Sequence, residues 1–170
     1  MASLMEELLD VLGTEEKEYK KLIELSGQKT KALIAADIKT VQEIAEKEQD
    51  YVELIQKCEK KCNEVITDMG IVLGKDTEEI TVRELISMLE KQPKEQHKLQ
   101  IVYDNLITTA KKMKVCNERN KMLVDQALEL VEFDLTLYQS MRMAPENANY
   151  SKEALNTSAA QEQGRFDAKQ

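Results

Sequence analysis

Residues 94–143 read KEQHKLQIVYDNLITTAKKMKVCNERNKMLVDQALELVEFDLTLYQSMRM, an unbroken stretch without glycine or proline between Pro93 and Pro145. Within it Leu99, Tyr103, Leu106, Ala110, Met113, Asn117, Asn120, Val124, Ala127, Val131, Asp134, Tyr138 and Met141 follow one another at alternating steps of three and four. All but Asn117, Asn120 and Asp134 are apolar, which is the seam of a coiled coil. The spacing predicts one helix over about 94–143, roughly 75 Å long at about 1.5 Å per residue.

The rest of the chain points the same way. Its 170 residues hold 2 Pro and 5 Gly, about 4% against a combined background of roughly 12%. So few turn-makers exclude a sandwich, a barrel or a βαβ fold. From Ala2 to Ala36 the positions Met5, Leu8, Leu12, Tyr19, Leu22 and Leu33 keep the helical period, with a kink allowed at Gly13 or Gly27. Asp37 has the side chain of an N-cap. A second segment follows through Ile38, Val41, Ala45, Val52, Ile55, Cys62, Ile66, Met69 and Leu73, to be ended by Gly70 or Gly74. Two helices of similar length with almost no linker form an antiparallel hairpin. Thr81 and Glu84 form a T-x-x-E capping box, flanked by Ile80 and Leu85 as a hydrophobic staple. Pro93 halts the short helix that this box starts. Beyond Pro145, residues 146–170 offer only Tyr150, Leu155 and Phe166 as sizeable apolar groups, too few to offset the entropy of ordering. The expected architecture is all-α: a long antiparallel hairpin, a short helix and a third very long helix. They form a coiled-coil-like bundle over 1–143, followed by a flexible, disordered tail over 144–170.

Charge and chemistry narrow the function. A net charge of −8 with only four arginines (Arg83, Arg119, Arg142, Arg165) argues against nucleic acid and against phosphate clamps. No apolar run has the length of a membrane span. MASLMEELLD, with Glu6, Glu7 and Asp10, is not expected to act as a signal peptide. Three cysteines without an export signal read as free thiols in a reducing compartment.

His97 is the only histidine, in the polar stretch KEQHK, so no Ser-His-Asp, Cys-His or Glu-x-x-His site can be assembled without it. Cys58 and Cys62 are four apart, and Cys116 is a third at most, short of the four ligands of structural zinc. Carboxylate pairs such as Glu6-Glu7, Glu15-Glu16 and Glu78-Glu79 read as solvated helix faces. No active site, metal site, cofactor or small-molecule substrate is expected.

Two features remain. Asn117 and Asn120 interrupt the third helix's seam, either facing solvent or fixing register as a buried Asn can. After them, twelve of the twenty residues from Met122 to Met141 are apolar. Leu123, Leu130 and Leu137 form a second row beside Val124, Val131 and Tyr138, more than one bundle stripe needs. Either the short helix and its neighbours cover this surface or another chain does.

In order along the chain stand E-x-x-Y-x-x-L-I from Glu16 to Ile23, then Glu48, Tyr51, Leu54 and Ile55. I-T-V-R-E-L from Ile80 to Leu85 follows, and then N-x-x-N-x-x-L-V from Asn117 to Val124 with the long apolar run after it. In this order of elements, over roughly residues 4–150, the chain resembles the FlgN-type flagellar export chaperones. The resemblance implies a cytoplasmic, non-enzymatic chaperone of the flagellar type III export system, needing no nucleotide or metal. Its clients would be the hook–filament junction proteins, hook-associated proteins 1 and 3, whose C-terminal helical regions it keeps from assembling early.

By the same resemblance the client-binding part is the C-terminal portion of the last helix, here Met122, Leu123, Ala127, Leu128, Leu130, Val131, Leu135, Leu137 and Tyr138. A tyrosine after that helix docks on the cytoplasmic domain of the membrane export-gate protein. Tyr150 matches that position, although the glycine that often follows it in related tails is missing, and Tyr138 competes for the role. Two other classes stay open: a self-associating coiled-coil scaffold or tether, and a small helical enzyme using Cys58, Cys62 or Cys116.

Overall fold

The computed structural model describes residues 2–74 and 80–143. Helix α1 spans Ala2–Ile34, α2 Ile38–Val72 and α3 Val82–Met88; a 3-10 turn at Leu89–Lys91 leads into α4, Pro93–Met143. No strand occurs among the described residues. The chain divides into two units, Met1–Gln126 and Ala127–Gln170. The tail expected over 144–170 lies outside the described residues, and Tyr150 with it.

Local chemistry sets the helix ends. Ala36 takes a left-handed φ of 53°, and the Asp37 amide donates to the Ala32 carbonyl at 2.9 Å. The Asp37 carboxylate then accepts from the Thr40 amide at 3.1 Å as the N-cap of α2. Gly13 and Gly27 both lie inside the continuous helix α1, and neither ends it. Gly74, at φ +77°, supplies the left-handed residue after α2, whereas Gly70 is helical and buried. A Cβ at Gly70 would run into the Ile80 side chain, so this glycine serves close packing and does not end the helix. The Thr81–Glu84 capping box is formed reciprocally. Pro93 starts α4 at its first position, where its missing N–H costs nothing.

In the first unit, α1 and α2 run antiparallel, tied by Lys61 to Glu7 at 2.8 Å near one end and Lys29 to Glu48 at 2.7 Å nearer the other. α4 runs parallel to α1, for Thr109 meets Glu16 and Asn120 meets Ser26. The result is an up-down-up bundle with α3 in the second connection. Met5, Leu8, Leu12, Met69, Leu85, Leu89 and Leu99 form the main core, where α1 and α4 begin and α2 ends. A smaller cluster of Leu22, Ile55 and Met113 continues it. Leu8, Leu85 and Leu99 have no exposed surface, and each such side chain contributes about 1.5–3 kcal/mol by leaving water.

Past Met113 the seam turns polar. Asn120 is buried, and its amide donates to the Ser26 carbonyl at 3.0 Å and to Ser26 Oγ at 2.9 Å. Its own oxygen accepts from Thr30 Oγ1 at 2.6 Å. Asn117, one step earlier in the seam, is exposed. The two readings of the notch therefore divide between its members: Asn120 fixes register and Asn117 faces solvent. Asn120→Ala removes the amide partner of the buried Ser26 Oγ while Thr30 Oγ1 still donates to the Ser26 carbonyl, and an expected loss of about 1–3 kcal/mol is measurable by urea denaturation. A loss within error would mean that water replaces the amide.

Candidate functional site

The run from Met122 onward is where apolar side chains meet solvent. Leu123 and Val124 are partly buried, and every residue from 125 to 143 is exposed. Among the large apolar groups, exposure ranges from 48% at Leu137 to 85% at Met143, with Leu130 and Tyr138 both at 61%. Ala127, Leu128, Val131 and Leu135 are exposed too, as is Phe133, which the sequence reading did not single out as a site residue. By contrast Leu85 and Ile86 of α3, and Leu89 of the 3-10 turn after it, are spent in the core with Leu8 and Leu12.

The three-and-four seam thus has two fates. Leu99, Leu106, Met113 and Asn120 are buried, whereas Ala127, Val131, Asp134, Tyr138 and Met141 are exposed. At about 100° per residue the apolar groups of 122–141 cover roughly two-thirds of the helix circumference. Asp125, Glu129 and Glu132 share the remaining arc. The Arg142 guanidinium sits 5.8 Å from the Tyr138 ring centroid, a cation–π contact worth about 0.5–1 kcal/mol on a surface. Such a face can bind another amphipathic helix; it carries no constellation for bond-making chemistry.

A second electrostatic feature lies between α1 and α2. Glu15, expected on a solvated face, is instead 7% exposed. Burial first, and then the charge of Glu59, push its carboxyl up from 4.5 to about 7. The seam position three residues after Leu12 simply falls on this acid. Burial, aided by Glu15, likewise raises the Cys58 thiol, and raises Cys62 to about 11. A thiol held protonated is a poor nucleophile and a poor metal ligand. All three cysteines are free, and no group of residues able to hold a metal ion occurs among the described residues. His97 is exposed near the start of α4. Among the described residues no helix is long and apolar enough to cross a membrane.

Comparison with known proteins finds a family and a relative by sequence. The family model described as FlgN protein matches residues 1–158. A relative from Bacillus subtilis (strain 168), called uncharacterized protein YvyG, is 30% identical over 134 residues, which is 79% of this chain and 78% of its own. No solved structure matches significantly.

Proposed function

Because the chain belongs to the FlgN family of flagellar export chaperones, we propose that α4 is its client grip. There the C-terminal amphipathic helices of hook–filament junction proteins, hook-associated proteins 1 and 3, lie against residues 122–141. The family is one of chaperones and not of enzymes. The observation that carries the reading is the exposed double row of Leu130 and Leu137 beside Val131 and Tyr138, continued from the partly buried Leu123.

A junction protein's terminal helix is sticky before assembly, and laying it on this run removes both apolar faces from water. Ala127 leaves room for close approach, while Leu130, Leu137 and Tyr138 act as anchors. Met122, Met141 and Met143 repack readily, which suits a surface that takes two related clients. In this reading the protein works in the cytoplasm, with residues 1–143 as its body and 144–170 as the tail. Tyr150 then docks the loaded complex on the cytoplasmic domain of the export-gate membrane protein.

The test is affinity purification of the tagged chain from a flagellated cell extract, in which both junction proteins are expected to co-purify. Their absence from the eluate overturns the assignment. Tyr150→Ala is expected to keep client capture and to lower junction-protein secretion severalfold; unchanged secretion removes Tyr150 from the docking role. Self-association through the same face competes, because the three-and-four seam continues beyond Asn120. Light scattering separates the two, a monomer supporting the chaperone reading and a stable dimer the scaffold.

A further inference from the structure

The apolar arc of the client grip has one charged member near its middle. Asp134 is an exposed seam position, and on a helix its nearest surface neighbours are Leu130 and Val131 before it and Leu137 and Tyr138 after it. All four are apolar and between 48% and 61% exposed. Among the described residues Asp134 has no ion pair and no hydrogen bond of its side chain. The cation of this stretch, Arg142, lies two turns further on, against Tyr138. The other acids of the segment, Asp125, Glu129 and Glu132, sit on the polar arc, where a bound helix leaves them in water.

Resting on the reading of 122–141 as the client grip, we infer that Asp134 is its specificity-determining residue, selecting client helices that carry an arginine or lysine within their apolar ridge. The physical reason is desolvation. In helix-on-helix packing a partner side chain enters a hole made by residues i, i+3, i+4 and i+7. Asp134 borders the holes 127–130–131–134, 130–133–134–137, 131–134–135–138 and 134–137–138–141. A helix crossing the leucine anchors therefore has to cover this carboxylate. Covering it with an apolar side chain strips its water and returns nothing. Covering it with a guanidinium or ammonium group replaces that water with a charge-assisted hydrogen bond. A purely apolar ridge is thereby rejected, which is how an unpaired charge gives a sticky surface selectivity.

The inference is tested with two fluorescent synthetic helices of roughly 20 residues, long enough to form helix. They share one leucine ridge and differ in a single central ridge position, Leu in one and Arg in the other. Fluorescence anisotropy against the full chain is expected to show the Arg helix binding at least roughly tenfold tighter. Rising salt should narrow the gap. Asp134→Leu should reverse the preference, and Asp134→Asn should remove most of it. The same preference in Asp134→Leu as in the parent, or no preference in the parent, overturns the role of Asp134. Either result leaves the client grip standing if junction proteins still co-purify. Binding of neither helix, together with no co-purification, overturns the grip as well. Because Asp134 is exposed, far-UV helicity is expected to be unchanged in both variants, so a loss of preference cannot be put down to unfolding.

Discussion

Replacing Leu130 and Leu137 together by glutamate is expected to abolish capture of junction proteins while leaving the fold nearly intact. Each leucine buried by a client contributes about 1.5–3 kcal/mol. Each glutamate in its place adds the cost of desolvating a carboxylate. The pair should weaken binding by at least about 4 kcal/mol, roughly a thousandfold. In the free protein the same side chains are 61% and 48% exposed. Their replacement removes little burial there, and exposed substitutions shift stability by only about 0.5 kcal/mol. A small penalty is expected, since both introduced acids would lie one turn from Asp134, at 130 before it and at 137 after it. Co-purification and urea denaturation of the same preparation separate the two effects. Collapse of helicity in the double variant would show that these leucines belong to a core and not to a grip.

The second large effect concerns stability and sits in α1. The carboxyl of Glu15 is raised from 4.5 to about 7 by burial and by Glu59, so the folded state holds a proton that the unfolded state releases. A raised folded-state value contributes stability that is present below about pH 4.5 and is lost as pH climbs to about 7. A rise of that size corresponds to roughly 3 kcal/mol. Glu15→Gln stays neutral throughout. It is therefore expected to exceed the parent in stability by up to about 3 kcal/mol at pH 8 and to match it near pH 4.5. Urea denaturation of both proteins at the two pH values measures the difference. Equal stability at pH 8 would mean that the charged carboxylate reaches water in the fold.

These two sites mark the range of what the sequence discloses. Asp37, the Thr81–Glu84 box and Pro93 act through their own backbone and nearest neighbours, so these helix ends were readable without knowledge of the packing, whereas the choice of Gly74 over Gly70 rests on the approach of Ile80. The excess of apolar groups after Asn120 was readable by count, but whether another helix covered them was not. Glu15 was missed, although its place three residues after Leu12 and four before Tyr19 puts it on the seam of α1. Its neighbour Glu16 is chemically the same, and the approach of α2, carrying Cys62 and Glu59, distinguishes the buried acid from the wetter one. Asn117 and Asn120 are a similar case. Both lie in one seam, and the choice between them is made by Ser26 and Thr30, some ninety residues away in sequence. Which surface α3 would cover was equally undecided, since Leu85, Ile86 and Leu89 fit either the hairpin core or the α4 run by composition alone.

The continuity of α4 from Pro93 to Met143 has a kinetic consequence. Starting a helix is the slow, unfavourable step, and adding residues to an existing one is fast and nearly free. Because the turns that hold Leu99, Leu106 and Met113 are already wound, residues 122–141 extend a helix that has been started for them. Under the proposed function, this segment would meet its client already ordered. Whatever ordering the encounter requires falls on the incoming segment alone, and the association rate should follow the client's own helical propensity.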